Sequence, residues 1–190
     1  QSGNAFASTV TMKAGDGTDE DFNNITFVDT NAIRLHTSAA SAGDLYINAE
    51  TDGAVGGALS VTATNADITQ TVALDVTGTT TLAAGSSNDI TLNTSTNNFA
   101  AAVVVTSGRN VAITDEATID LGASTVSGTY EITATTGDIT DSGNLAITGA
   151  ATFITTAADR NIILDQSGNA FASTVTMKAG DGTDEDFNNI

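Results

Sequence analysis

The chain has 190 residues, 23 acidic against five basic, with a formal charge of -18 and no Pro, Cys or Trp. So few cations exclude nucleic acid and anionic membrane surfaces as partners, and the lack of Cys excludes a disulfide scaffold and thiolate metal sites. Hydrophobic residues make up 40%, so the chain has enough apolar surface to fold, yet no apolar run approaches the roughly 20 residues needed to cross a bilayer.

In chain order, short segments with apolar residues at i and i+2 fall at 24–28, 32–36, 44–49, 58–63, 66–70, 73–77, 79–83, 88–92, 101–106, 110–114, 118–122, 130–134, 137–141, 145–149, 161–165 and 173–178. Alternation of this kind predicts strands with one buried face. The 34 Thr, with the many Val and Ile, reinforce it. Gly, Asn, Asp and Ser between the segments supply turn chemistry. No stretch carries an apolar stripe of helical period.

The chain also repeats. Residues 166–190 are identical to residues 1–25, an offset of 165. Beginning at Gln1 inside the pattern, the chain reads as a window on a longer, nearly periodic polypeptide, one continuous segment over 1–190. Residues 1–165 are one full repeat and 166–190 the start of the next. A weaker repeat lies inside the period. Residues from Ala73 match those from Asn144 at an offset of 71, which becomes 72 after a one-residue insertion near Ala157. Leu59 then matches Tyr130, Leu82 matches Phe153, Phe99 matches Phe171, and Val105 matches Met177. The period divides into sub-repeats 58–128 and 129–165, the second continuing into the equivalents of 1–57. The longer unit of 94 residues carries an extra stretch near 44–57 and an acidic insert near 15–21.

A nearly exact long repeat is hard to close into a sandwich, whereas a solenoid grows by adding coils that need only their neighbours. The predicted fold class is all-β, a parallel β-solenoid of roughly 20–24 residues per coil, with about seven coils per 165-residue repeat. Stacking at about 4.8 Å per coil makes the period roughly 34 Å long. On this count the 71-residue unit spans about three coils and the 94-residue unit about four. The missing Pro fits, because strand N–H groups inside a solenoid donate to the next coil. Asn23-Asn24, Asn88-Asp89, Arg109-Asn110 and Arg160-Asn161 each precede an apolar triplet. Repeated coil after coil, they read either as an amide ladder or as a simple turn preference.

The texture of NDITLNTSTNNFAAAVVVTSGRNVAIT, ATIDLGASTVSG and ITATTGDITDSGNLAITGAATF resembles the repeat regions of very large bacterial exoproteins of the filamentous haemagglutinin type. The resemblance implies a right-handed parallel β-helix. It also implies an extracellular, fibre-forming or adhesive protein at the bacterial cell surface.

Candidates for chemistry are few. His36 is the only His and sits at a strand end, where a surface role is expected. Lys13, Arg34, Arg109 and Arg160 are scattered singly, without the paired base and acidic ligands of a polysaccharide lyase. Asp115, Asp120, Asp138 and Asp141 read as scattered surface acids. One constellation is dense: Asp16, Asp19, Glu20 and Asp21, with its copy at Asp181, Asp184, Glu185 and Asp186. Four carboxylates beside Gly17 form either a calcium loop or a solvated acidic bulge. Their spacing matches neither the EF-hand nor the glycine-rich nonapeptide repeat. No other cofactor is expected. The leading expectation is a non-catalytic, self-associating extracellular fibre or sheath. An adhesin binding glycan or host surface is the alternative, and a polysaccharide-active enzyme the minor one. Residues 1–165 hold 19 acids and four bases, so each period carries -15, the charge of a polyanionic rod.

Overall fold

The computed structural model describes residues 10–12, 25–29, 33–36, 44–47, 54–63 and 66–180. β1 (Val10–Met12), β2 (Ile25–Asp29), β3 (Ile33–His36), β4 (Asp44–Ile47) and β5 (Ala54–Val55) come first. The lower stack follows: β6 (Leu59–Ala63), β7 (Ile68–Gln70), β8 (Asp75–Val76), β9 (Thr80–Ala83), β10 (Ile90–Leu92), β11 (Asn98–Phe99) and β12 (Val103–Ser107). The upper stack comprises β13 (Val111–Asp115), β14 (Ile119–Leu121), β15 (Ser124–Val126), β16 (Tyr130–Ala134) and β17 (Ile139–Asp141). It continues through β18 (Leu145–Ile147), β19 (Ala151–Thr155), β20 (Ile162–Ile163), β21 (Ala170–Phe171) and β22 (Val175–Lys178). The alternating segments read from the sequence all contain strands. Absent from those segments are the two-residue β5, β11 and β21, too short to alternate, and β15 and β19, whose alternation rests on Ser, Thr and Ala as much as on large apolar residues.

The pairing between coils is parallel, and the result is a β-solenoid. One sheet runs β1-β4-β3-β7-β10-β13-β16-β19-β22, a second β2-β6-β9-β12-β14-β17-β20, and two three-stranded sheets are ordered β11-β8-β5 and β15-β18-β21. Coil length is read from the register of the nine-stranded sheet. Ile68 pairs with Ile90, Ile90 with Val111, Val111 with Tyr130, Tyr130 with Ala151, and Ala151 with Val175. The steps are 22, 21, 19, 21 and 24 residues. Six turns separate β3 from β22. The step from Ile33 to Ile68 is longer, because the extra stretch near 44–57 lays down β4 as an added rung between β1 and β3.

The sub-repeats correct one expectation. β6 lies in the seven-stranded sheet, but its copy β16 lies in the nine-stranded one. Likewise β7 lies in the nine-stranded sheet and its copy β17 in the seven-stranded one. Ten strands, β6 to β15, lie within the 71-residue unit, which is three coils of three strands plus one strand. The 71-residue unit therefore advances the solenoid by three and one-third turns, not three. The full period restores the face: β1 and its 165-residue copy β22 are both in the nine-stranded sheet. The 94-residue unit supplies the complementary turn.

Burial alternates along the rungs, with inward Leu59, Val61 and Ala63 in β6 and Tyr130, Ile132 and Ala134 in β16. The turn before these strands is tight. Gly78 N–H donates to Gly57 O at 3.0 Å, and its copy Gly149 N–H donates to Gly128 O at 3.0 Å. A Cβ on Gly78 would meet the Gly57 carbonyl carbon at 2.6 Å, closer than side chains approach, so the corner admits only Gly. The one-residue insertion near Ala157 lies in the β19–β20 turn, where Asp159 adopts φ 57°, a left-handed position that Asp tolerates.

The upper core is more aromatic than the lower. Leu59, Leu82 and Phe99 become Tyr130, Phe153 and Phe171 in the copy. Tyr130 and Phe153 meet edge-to-face at 5.9 Å, and Phe153 and Phe171 at 6.1 Å. The Tyr130 hydroxyl is buried with no hydrogen bond, and the neighbouring Ser124 Oγ donates instead to Gly122 O at 2.9 Å. An unpaired buried hydroxyl costs about 1–3 kcal/mol. Tyr130→Phe is therefore expected to raise stability by about 1 kcal/mol in urea denaturation; a loss would show that the hydroxyl is satisfied.

Candidate functional site

Many polar groups of the solenoid collect at the corners, where one strand gives way to the next. The residue before each rung forms a column. Asp89 N–H donates to Asp67 Oδ1 at 2.8 Å, Asn110 N–H to Asp89 Oδ1 at 3.1 Å, and Thr129 N–H to Asn110 Oδ1 at 3.1 Å. On the adjacent face Asp138 N–H donates to Thr118 Oγ1 at 3.1 Å and Asn161 N–H to Asp138 Oδ1 at 2.9 Å. The ladder anticipated from the Asn dipeptides exists, but with side-chain oxygens accepting backbone N–H groups rather than amide bonded to amide. Asn110 and Asn161 belong to it. Asn88 instead donates to Ala84 O at 2.9 Å, and Asn23-Asn24 lie outside the described residues.

Arg109 neutralises this column. Its Nε and Nη2 reach the two Asp89 oxygens at 2.7 and 2.8 Å. This pairing holds the Asp89 carboxyl below its ordinary range and raises the guanidinium. Arg160 makes no such pair among the described residues: its Nε donates to Ala158 O at 3.2 Å. Both arginines precede an Asn and a strand, but β13 and β20 lie in different sheets.

A second set of polar groups is buried. Asn97 is fully enclosed. Its Oδ1 accepts from Leu74 N–H at 2.9 Å and Gln70 Nε2 at 2.7 Å. Its Nδ2 donates to Gln70 Oε1, Leu92 O and Thr114 O at 2.9–3.0 Å. The sub-repeat copies of Gln70 and Asn97 are Asp141 and Asn169. There Asn169 Nδ2 donates to Asp141 Oδ2 at 2.6 Å and Leu145 N–H donates to Asn169 Oδ1 at 2.9 Å. These brackets tie one coil to the next. Aligned Asn residues two positions before Phe99 and Phe171 were their signal in the sequence.

Asp115 and Asp141 are therefore not surface acids. Asp115 is fully buried and Asp141 nearly so. Asp115 Oδ2 accepts from Phe99 N–H at 2.9 Å and Oδ1 from Ala117 N–H at 2.7 Å. Burial nevertheless pushes its pKa up to about 6 against the pull of these two donors. In the unfolded chain it titrates near 4. Below that pH both states hold the proton; between the two values only the folded state does, so stability falls as pH rises. The folded state is expected to lose up to about 3 kcal/mol from this group between pH 4 and pH 7. Urea titrations at both pH values measure it, and Asp115→Asn should flatten this part of the profile.

The carboxylates proposed for calcium, Asp16, Asp19, Glu20, Asp21, Asp181, Asp184, Glu185 and Asp186, lie outside the described residues, as does Lys13. Arg34 pairs in register with Thr69, and His36 with Tyr46. Among the described residues no three His, Asp or Glu are placed to hold a metal ion, and no helix is long and apolar enough to cross a membrane.

Parallel rungs, corner ladders and repeated brackets define a tandem-repeat β-solenoid protein. The chain belongs to the family described as repeats of unknown function (DUF5649), which matches residues 48–106 and 108–178. The two matches end at Thr106 and Lys178, equivalent positions in the sub-repeats. No curated protein matches, and no solved structure matches.

Proposed function

We propose that this chain acts mechanically, as part of a long extracellular β-solenoid fibre, sheath or surface stalk, non-catalytic and self-associating, of the filamentous haemagglutinin kind at a bacterial cell surface. The observation that carries the reading is the return of β22 to the sheet of β1 after one 165-residue period. A rod built this way lengthens by whole periods without changing the faces it presents. Hydrogen-bonded ladders along the axis carry the load, and unpaired strand edges remain only at the ends of the stack. A charge of -15 per period keeps such rods soluble and apart from anionic envelopes.

Eight rungs separate β1 from β22 in the nine-stranded sheet, one more than the sequence count of seven, because β4 is added. Electron microscopy of native material should therefore show filaments with an axial repeat near about 38 Å, or a multiple of it. Compact particles would overturn the reading. The added rung β4 breaks the coil order and favours a second role, as a contact surface for a glycan or host surface. Monomeric rods that bind sugar arrays would support that adhesin. Activity on acidic polysaccharide would defeat both.

A further inference from the structure

Among the described residues, the outward columns of one face of the solenoid carry no charge. In the lower stack its outward column is Thr26, Ser60, Thr81 and Val104, paired in register rung to rung. The second outward column of the same strands holds Thr62, Ala83 and Thr106. The face continues past β12 into β15: Val105 N–H donates to Ser124 Oγ at 3.3 Å and Gly108 bridges to Val126. Above it the outward column is Thr125, Ala146 and Ala170. The other faces are charged. The nine-stranded sheet carries Glu131 and Lys178 in its upper outward columns. β8 carries Asp75 and β14 carries Asp120.

We infer that this uncharged face is where a second copy of the same rod packs side by side, face to face; the inference rests on the fibre reading. Two rods at -15 per period repel wherever their acidic corners approach. The uncharged face is the approach that brings no formal charge into the contact, and its short Thr, Ser, Ala and Val side chains let sheets come close. A strip of seven rungs, about three residues wide, is roughly 34 by 10 Å, or about 340 Å² per period. A stable interface needs about 800 Å² per partner. One period is too small to pair, and about three in line suffice. They stay in line because the 165-residue period, unlike the 71-residue unit, returns β1 to its own sheet in β22.

The test compares the 190-residue chain with versions lengthened by one and two 165-residue periods, each checked for folding by circular dichroism. Sedimentation velocity at low and high NaCl reads association, and electron microscopy reads rod length. The longest rod should associate at least tenfold more strongly than the shortest, and more strongly at high salt, where repulsion is screened. Thr81→Glu in every period, or Ala146→Glu on a different rung, should weaken association at least tenfold. Thr152→Glu, outward on the nine-stranded sheet, should leave it unchanged. Single rods at every salt concentration, or equal loss from Thr152→Glu, would overturn the inference. Chains that fail to lengthen by about 38 Å per added period would remove the fibre reading itself.

Discussion

Asn97→Leu is expected to lower the unfolding free energy by about 4 kcal/mol, the sum of several buried polar groups each costing about 1–3 kcal/mol when left unpaired. Leu fills much of the same volume, so the loss isolates hydrogen bonding. Without the Asn97 amide, Leu74 N–H loses its side-chain acceptor, and the Leu92 and Thr114 carbonyls lose a donor. Gln70 loses both bonds it makes to this side chain. Three successive coils meet at this point, so the damage spreads along the axis. Asn97→Asp keeps the acceptor but turns a buried carboxylate oxygen toward Gln70 Oε1 and the Leu92 and Thr114 carbonyls, and should cost at least as much as Asn97→Leu at about pH 7. Urea denaturation followed by circular dichroism ranks the three proteins. A loss below about 1 kcal/mol for Asn97→Leu would mean that the backbone groups find other partners.

Phe153→Ala is expected to cost a similar amount, about 3–5 kcal/mol, because it opens a cavity that a stacked coil cannot collapse around. Phe153 is fully buried and is wedged between two rings, Tyr130 below and Phe171 above. Its neighbours are held at fixed spacing by the rung ladder, so neither ring can close the gap. Phe153→Leu restores the residue found at the equivalent position, Leu82. It should cost less than about 1.5 kcal/mol, as volume-conserving apolar exchanges do. If Phe153→Leu proved as damaging as Phe153→Ala, the upper coils would be specifically built for aromatic stacking rather than for volume. Thermal unfolding of the two variants side by side distinguishes the cases.

Much of this architecture was legible in the chain. Alternation such as Leu59-Ser60-Val61-Thr62-Ala63 sets which side chains face inward, since successive residues of a strand must point to opposite faces. The identity of residues 1–25 and 166–190 sets the period, and turn residues set coil length to within a few residues. The site was harder to read. Asp115 and Asp141 looked like any other acid, because burial depends on which coil lies above, and a carboxylate's neighbours across coils are about 20 residues away in sequence. Asn97 and Asn169 left a trace as aligned positions, but their roles as acceptors for Leu74 and Leu145 depend on that same vertical contact.

By itself, then, the sequence determined the strand pattern, the parallel stacking and the 165-residue period, all consequences of local alternation and of repetition along one chain. Only the tertiary structure decided how the repeat maps onto the faces. Seventy-one residues looked like three coils, but coil length varies by a few residues with each corner, and those differences accumulate to an extra strand. That strand rotates the copy by one face, places Tyr130 in a different sheet from Leu59, and leaves the full period to bring β1 and its copy β22 back into one sheet.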